Sequence, residues 1–175
     1  GEGAFWIVDP LDGTRNFVRG VPQFATIVAL VREGAVEMGW IYGIPDGVRA
    51  IAVKDGGAWR NGRKIQPAPG GARLKGQRSV GWLERAEQEK LRANLTANFD
   101  VEPGHCSAYA YLQLAEGTID FKVSSRIHPW DHLAGALLLD ELGGRVAFFH
   151  TGARRKPMPS LDRALLATAP GRCFN

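Results

Sequence analysis

Cysteine is scarce in this sequence, which has only Cys106 and Cys173 among its 175 residues. Two cysteines without a pattern do not make the disulfide framework of a small secreted domain, so we expect a reducing, cytoplasmic setting. Long apolar runs are lacking as well: none approaches the roughly 20 residues of a membrane-spanning helix. We see no signal-peptide pattern. We therefore expect no membrane partner.

A strong excess of one charge is also lacking. Lys and Arg number 22 and Asp and Glu number 18, which gives a net charge of +4. A modest positive charge is ordinary for a globular protein and does not by itself indicate binding to nucleic acid. The densest basic run, Arg154-Arg155-Lys156, lies in a segment flanked by Gly and Pro. We expect a solvated loop there and no nucleic-acid partner.

The chain begins at Gly1 rather than at Met, and we expect the sequence to be part of a longer protein. What is present indicates a compact, turn-rich globular fold, because hydrophobic residues make up 45% of the chain and glycines number 22. A chain of this length is large enough for one large or two small domains.

The order of turns and apolar runs predicts an α+β fold with two layered sheets. Turns and short apolar runs up to residue 66 indicate an antiparallel meander, with strands over 24–32, 35–42, 48–53 and 58–60. A Pro- and Gly-rich linker over 65–76 separates residues 1–66 from a mixed α/β part over 77–175. In that part we predict strands over 79–83, 118–123, 145–149 and 164–168, and helices over 85–98, 107–117 and 131–142, with Ser107 as a helix cap.

The segment from Trp6 to Phe17 contains the clearest candidates for functional residues. Its β-branched and aromatic residues predict a buried strand that ends at Asp9, because a proline follows. Asp12 comes three residues later, and the intervening Pro and the following Gly13 favour a tight turn. We expect this turn to bring both carboxylates toward one point.

Two carboxylates held together repel each other unless a cation lies between them. Oxygen ligands without nearby imidazoles or thiolates suit Mg²⁺ or Mn²⁺ better than zinc. A turn that enters a helix at Gly13-Thr14 also presents free backbone N–H groups, which suit a phosphate. The alternative is an ordinary turn in which both acids merely cap a helix.

A second acidic position is Asp131, within Trp130-Asp131-His132-Leu133-Ala134-Gly135, at the start of a helix that we expect to be buried. Alone, an Asp at a helix N-terminus is ordinarily a cap. Together, however, the two segments resemble the inositol monophosphatase family. Residues 6–17 are similar to its signature W-[IV]-[IV]-D-P-[LI]-D-G-T-x-N-F, and residues 130–135 to its signature W-D-x-x-A-G. The resemblance covers nearly the whole chain.

This resemblance implies the layered α/β sandwich of the inositol monophosphatase/fructose-1,6-bisphosphatase type. It also implies Mg²⁺-dependent hydrolysis of a small phosphate monoester by metal-activated water. The metal ligands that it implies are the carboxylates of Asp9, Asp12 and Asp131 and the backbone carbonyl of Leu11, with Mn²⁺ as an alternative ion. By analogy with the family, we expect a homodimer.

The resemblance also implies roles in catalysis and substrate binding. The catalytic residues would be Asp12 and Thr14, whose hydroxyl would orient the attacking water. Gly13 and Thr14 would hold the substrate phosphate through backbone N–H groups. Ser107 and its neighbour Ala108 would contact the part of the substrate beyond the phosphate.

Two departures from the family pattern bear on activity and substrate. The family's upstream metal-binding carboxylates have no counterpart in this sequence, so the site formed by this chain would be incomplete. Ser124 stands where inositol-selective members have Glu, which argues against myo-inositol monophosphate as the main substrate. The alternatives are a sister phosphatase acting on fructose 1,6-bisphosphate, a 3′-phosphoadenosine nucleotide or histidinol phosphate, and a non-catalytic regulatory or binding relative.

Overall fold

The computed structural model describes residues 3–66, 74–150 and 163–172. The central part of the predicted linker, the basic run over 154–156 and Cys173 lie outside the described residues. The division of the chain into subdomains at 1–66 and 77–175 stays a prediction.

The first sheet confirms the predicted antiparallel meander. Its six strands lie in chain order, and each pairs antiparallel with the next. The tight turn at Asn61-Gly62 has positive φ at both residues, 49° and 79°, as the two-residue turn of a hairpin requires. The elements are β1 (Ala4–Asp12), α1 (Thr14–Val18), β2 (Ala25–Arg32), β3 (Ala35–Gly43), β4 (Arg49–Val53), β5 (Gly57–Arg60) and β6 (Arg63–Lys64).

The second sheet is mixed. Its strand order is β10-β11-β9-β7-β8, with β7 parallel to both β8 and β9 and the other pairs antiparallel. The elements are β7 (Lys75–Ser79), α2 (Arg85–Asn98), β8 (Asp100–Pro103), α3 (Ser107–Glu116), β9 (Phe121–Ser124), α4 (Pro129–Asp140), β10 (Arg145–His150) and β11 (Arg163–Thr168). The predicted α+β class and the layered sheets are confirmed.

Helices α3 and α4 lie between the two sheets. The main hydrophobic core joins side chains of the first sheet, both helices and the second sheet, as with Ile27, Leu114, Leu138 and Leu165. A smaller core packs α2 on the other face of the second sheet. Among the described residues, no helix combines the length and the apolar character that a membrane crossing requires.

Two small residues let α4 approach its neighbours closely. A Cβ at Gly135 would lie 2.2 Å from the Tyr111 ring of α3, and a Cβ at Gly39 of β3 would lie 2.8 Å from the backbone of Ala134. The residues Ala134-Gly135 of the W-D-x-x-A-G segment therefore serve packing. They set how deeply α4, and with it Asp131, enters the molecule.

The prediction of a buried first strand is wrong. β1 is an edge strand of the sheet, and Trp6 and Val8 are 59% and 49% exposed. Aromatic and β-branched residues favour a strand, but they do not indicate whether the strand lies in the middle or at the edge of its sheet. The prediction of a strand over 79–83 is also wrong, because the strand is Lys75–Ser79 and turns precede α2.

Helix boundaries were predicted with mixed success. Helix α2 spans Arg85–Asn98, as predicted. Ser107 is not the cap of α3: Cys106 is, and Ser107 is the first helical residue. Helix α4 begins at Pro129, earlier than predicted, because proline is well tolerated in a first helical turn.

Candidate active site

The turn at the end of β1 presents Asp9 and Asp12. The pairing of β1 with β2 shifts between these two residues, since Pro10 has no N–H to donate. The Asp9 side chain accepts a hydrogen bond from the Leu11 N–H at 3.0 Å, and Thr26 Oγ1 donates to the Pro10 carbonyl at 3.0 Å. These bonds hold the turn in one shape.

Gly13 follows directly and adopts a left-handed conformation, with φ of 81°. A Cβ there would meet the Gln23 carbonyl oxygen at 2.8 Å, so only glycine fits without strain. The five-residue helix α1 begins at Thr14, and the first N–H groups of a helix have no acceptor within it. The Thr14 hydroxyl donates to the Leu11 carbonyl at 2.9 Å and keeps lone pairs that can accept a hydrogen bond.

Asp12 is buried and connects the first sheet to α3. Its Oδ2 accepts the Ala108 N–H at 2.6 Å and the Cys106 thiol at 3.0 Å. Burial raises the pKa of Asp12, and these two hydrogen bonds act in the opposite direction. Burial also raises the pKa of the Cys106 thiol, reinforced by the adjacent carboxylate, so Cys106 is an unreactive hydrogen-bond donor.

Asp131 lies in the first turn of α4. One carboxylate oxygen each of Asp9, Asp12 and Asp131 lies within 4.8 Å of the others. We call these three residues the acidic cluster. Burial, together with repulsion from Asp12 and Asp9, raises the pKa of Asp131 to about 7.

The acidic cluster fits a divalent cation. Three carboxylates this close cannot all be ionised at low cost unless a positive charge lies among them. The donors are all oxygen, and the Leu11 carbonyl, with one lone pair used by Thr14, lies in the same turn. Hard ions such as Mg²⁺ and Mn²⁺ prefer such oxygen ligands.

A cavity of about 460 Å³ opens beside the acidic cluster. Of the predicted site residues, Asp12, Asp131 and Ser107 line it. Ala108 is fully buried, and its N–H is engaged by Asp12. The structure therefore brings the three predicted carboxylate ligands together, and the Ala108 N–H donates to one of them, Asp12.

Sequence reasoning missed Lys122, which also lines the cavity. The residue is 2% exposed, and its Nζ donates to Ser107 Oγ at 2.9 Å and lies 4.7 Å from the centre of the Tyr111 ring. Burial lowers the pKa of Lys122 to about 8, although Asp12 and Asp131 favour its charged form. The signal in the sequence was the single charged residue in the short strand Phe-Lys-Val-Ser.

His132 follows Asp131 and stabilises the contact between α3 and α4. Its Nε2 lies 3.0 Å from the Arg126 carbonyl, which can only accept, so Nε2 carries the proton and donates. Its Nδ1 therefore accepts from the Tyr111 hydroxyl at 3.0 Å. Burial lowers the pKa of His132 to about 3, so the ring is neutral and serves the structure.

The molecule is thus an α+β protein of two layered sheets with three carboxylates, placed so that they could hold a metal ion, beside a polar cavity. A family model described as the inositol monophosphatase family matches residues 1–172. This chain belongs to the inositol monophosphatase family, as the two sequence segments predicted.

Individual relatives agree with this assignment. The chain is 31% identical over 152 residues to the fructose-1,6-bisphosphatase/inositol-1-monophosphatase of Thermotoga maritima, a match that covers 82% of this chain and 56% of that protein. It is 30% identical to a histidinol-phosphatase of Streptomyces coelicolor, covering 95% of this chain and 65% of that protein. The crystal structure of the extragenic suppressor protein suhB from Bartonella henselae superposes with a TM-score of 0.81 at 26% identity, covering 95% of this chain and 66% of that one.

The matched region is only part of each of these relatives. The chain spans 56% and 65% of the length of the two curated relatives above. What the relatives' names state about substrates applies to those proteins.

Proposed function

We propose that this chain forms the metal- and phosphate-binding part of a Mg²⁺-dependent phosphatase that acts on small phosphate monoesters. The convergence of Asp9, Asp12 and Asp131 within 4.8 Å carries this proposal. Family membership supports it, since relatives named inositol-1-monophosphatase and histidinol-phosphatase match most of this chain. The cytoplasm remains the expected location, and a homodimer the expected assembly.

In this proposal, the acidic cluster and the Leu11 carbonyl hold the cation, Mg²⁺ or Mn²⁺. The bound ion would supply charge neutralisation at the phosphate and an acidified water. The raised pKa of Asp131 means that this carboxylate must lose a proton before it binds metal. Asp12 is held by two hydrogen bonds at the start of α3, from the thiol of the cap residue Cys106 and from the Ala108 N–H.

The remaining proposed roles belong to the turn and to α3. The N–H groups of Gly13 and Thr14 bind the phosphate, and the Thr14 hydroxyl, anchored on Leu11, accepts a hydrogen bond from the attacking water. Ser107 contacts the rest of the substrate from the cavity wall. Ala108 acts on the substrate through Asp12, whose carboxylate it holds.

The test compares Asp131→Asn with Asp140→Asn in the full-length protein. Both residues belong to α4, but Asp140 is exposed at the other end of the helix. We expect Asp131→Asn to reduce Mg²⁺-dependent release of phosphate from p-nitrophenyl phosphate at least about a hundredfold, since even residues that only support a metal ligand cost 10–100-fold. Asp140→Asn should stay within twofold of the wild type.

Circular dichroism on both variants would confirm that the fold is kept. Substantial activity in a folded Asp131→Asn variant would contradict the proposal. A wild-type protein that binds neither Mg²⁺ nor phosphate in calorimetry would instead support the regulatory or binding alternative.

A further inference from the structure

Part of the cavity lining is basic. Four cationic residues line the cavity, and we call them the basic wall: Arg15, Arg78, Lys122 and Arg126. Among the described residues, the ion pairs involve other cations, so none of these four forms an ion pair with a described carboxylate. The cavity is therefore lined by both acidic and basic side chains.

Lys122 is the most unusual member of the basic wall. Burying an ammonium group is costly unless an anion or several acceptors offset the loss of water. The one described hydrogen-bond partner of Nζ is the Ser107 hydroxyl at 2.9 Å, and Nζ has three protons to donate. Two of the three N–H donors of Lys122 therefore have no hydrogen-bond acceptor among the described residues, and the residue lines the cavity.

The strand β9 places no acid beside this lysine. Because side chains alternate along a strand, Lys122 and Ser124 face the cavity while Phe121 and Val123 pack toward α2. The Ser124 hydroxyl donates to the Arg126 carbonyl at 3.3 Å, so this position contributes a neutral group.

Arg126 also lines the cavity. Arg78 of β7 pairs with Val123 of the neighbouring β9, so its side chain leaves the sheet on the α2 face, whereas Lys122 leaves it on the α3 face. The Arg126 guanidinium lies over the Trp82 ring, with 4.3 Å between its carbon and the ring centre. Its Nε donates to His128 Nε2, and the stacking further limits the positions that the guanidinium can take.

We propose that the cavity selects phosphate monoesters whose remaining part carries a second anionic group, a carboxylate or a phosphate, bound by Lys122 and Arg126. This inference rests on the proposed function, because it assigns the acidic cluster with its cation to the phosphate that is hydrolysed. That cation neutralises the acidic cluster, which leaves the basic wall without a compensating charge. A substrate with a neutral polyol would bring no negative charge to the basic wall, whereas a substrate with a second anionic group would.

The competing explanation is that Lys122 only offsets the charges of Asp12 and Asp131. The two explanations differ in which ligands lose affinity when the ammonium is removed. A counter-ion to the acidic cluster affects every phosphate ligand alike, because all of them depend on the same metal site. A ligand for a second anion affects only compounds that carry that anion.

The experiment is calorimetric binding of phosphonates, whose P–C bond is not hydrolysed, to the full-length protein with Mg²⁺. Three series with linkers of two to six carbons end in a hydroxyl, a carboxylate or a second phosphonate. We expect the best anionic compound to bind at least tenfold more tightly than the hydroxyl compound of equal length. The carboxylate and phosphonate series identify which anion the wall prefers.

The matched variants are Lys122→Met and Lys75→Met. Lys75 is exposed on the same sheet and does not line the cavity. Lys122→Met should bring the ratio of the affinities for the anionic and hydroxyl compounds close to one, and Lys75→Met should leave this ratio unchanged.

Equal binding of all three series by the wild type, or an equal loss for all three in Lys122→Met, would overturn this inference while leaving the phosphatase proposal in place. Absence of Mg²⁺-dependent binding for every compound would overturn both.

Discussion

At the level of single residues, the carboxylates of the acidic cluster oppose one another when no cation is bound. Asp131 shows this most clearly, because burial and the charges of Asp12 and Asp9 raise its pKa to about 7. The ordinary value is 3.8. A proton on Asp131 therefore competes with the metal in the neutral range.

The pH dependence of metal binding follows from this shift. Because the pKa of Asp131 is higher in the folded state, its contribution to stability is fully present below about pH 4 and is lost as the pH rises through 7. Mg²⁺ reverses this loss but must displace the proton. We expect the apparent Mg²⁺ affinity to fall roughly tenfold from pH 8 to pH 6.

Calorimetry at both pH values measures this effect, and the increase in melting temperature caused by Mg²⁺ should be larger at pH 8. The variant Asp131→Asn has no proton to lose at this position and should show a flatter dependence. Affinity for Mg²⁺ that is independent of pH in the wild type would argue against the raised pKa of Asp131.

At the level of secondary structure, the position of α4 decides where Asp131 lies. The close approach at Gly135 leaves no room for a methyl group, since a Cβ would lie 2.2 Å from the Tyr111 ring. We expect Gly135→Ala to lower the free energy of unfolding by about 1–3 kcal/mol, the usual cost of overpacking, in urea titrations. Gly81→Ala is the matched control, because nothing lies within 4 Å of its Cβ position. Equal stabilities of the two variants would contradict this packing.

The hydrogen bond between Tyr111 and His132 is a second link between α3 and α4. His132→Phe would leave the buried Tyr111 hydroxyl without its acceptor, and such a loss typically costs about 1–3 kcal/mol. Adding Tyr111→Phe removes the orphaned hydroxyl, so the double variant should be destabilised by less than the sum of the two single variants. A urea double-mutant cycle measures this coupling, and strict additivity would exclude the bond.

At the level of the whole molecule, the two sheets share one core. Ile27 of the first sheet and Leu165 of the second belong to the same cluster as Leu138 of α4. Although the boundary between the predicted subdomains remains open, this shared core predicts a single unfolding transition. Tryptophan fluorescence and far-ultraviolet circular dichroism should give coincident urea curves. Two separated transitions would show that the parts fold independently.

The sequence was most informative where local rules decide the structure. The meander followed from its turn residues, as at Asn61-Gly62, and α2 followed from its periodicity and its boundaries. The meeting of Asp131 with Asp9 and Asp12 came from the family resemblance, since no local rule links residues more than a hundred positions apart. The same resemblance predicted the layered α/β sandwich.

Other features depend on contacts between distant parts of the chain, which local sequence patterns do not indicate. The apolar run of β1 predicts a strand, yet Trp6 is exposed because the strand lies at an edge of the sheet. The burial of Lys122 depends on which face of β9 meets α3. Ser107 looked like a helix cap from its residue type, but its hydroxyl accepts from Lys122, a contact between distant parts of the chain.

Whether the acidic cluster holds a divalent cation can be seen in an anomalous difference map from crystals of the full-length protein grown with Mn²⁺. We expect a peak about 2.1 Å from carboxylate oxygens of Asp9, Asp12 and Asp131, as for a small hard cation. A well-ordered map at saturating Mn²⁺ with no peak among these three side chains would contradict it.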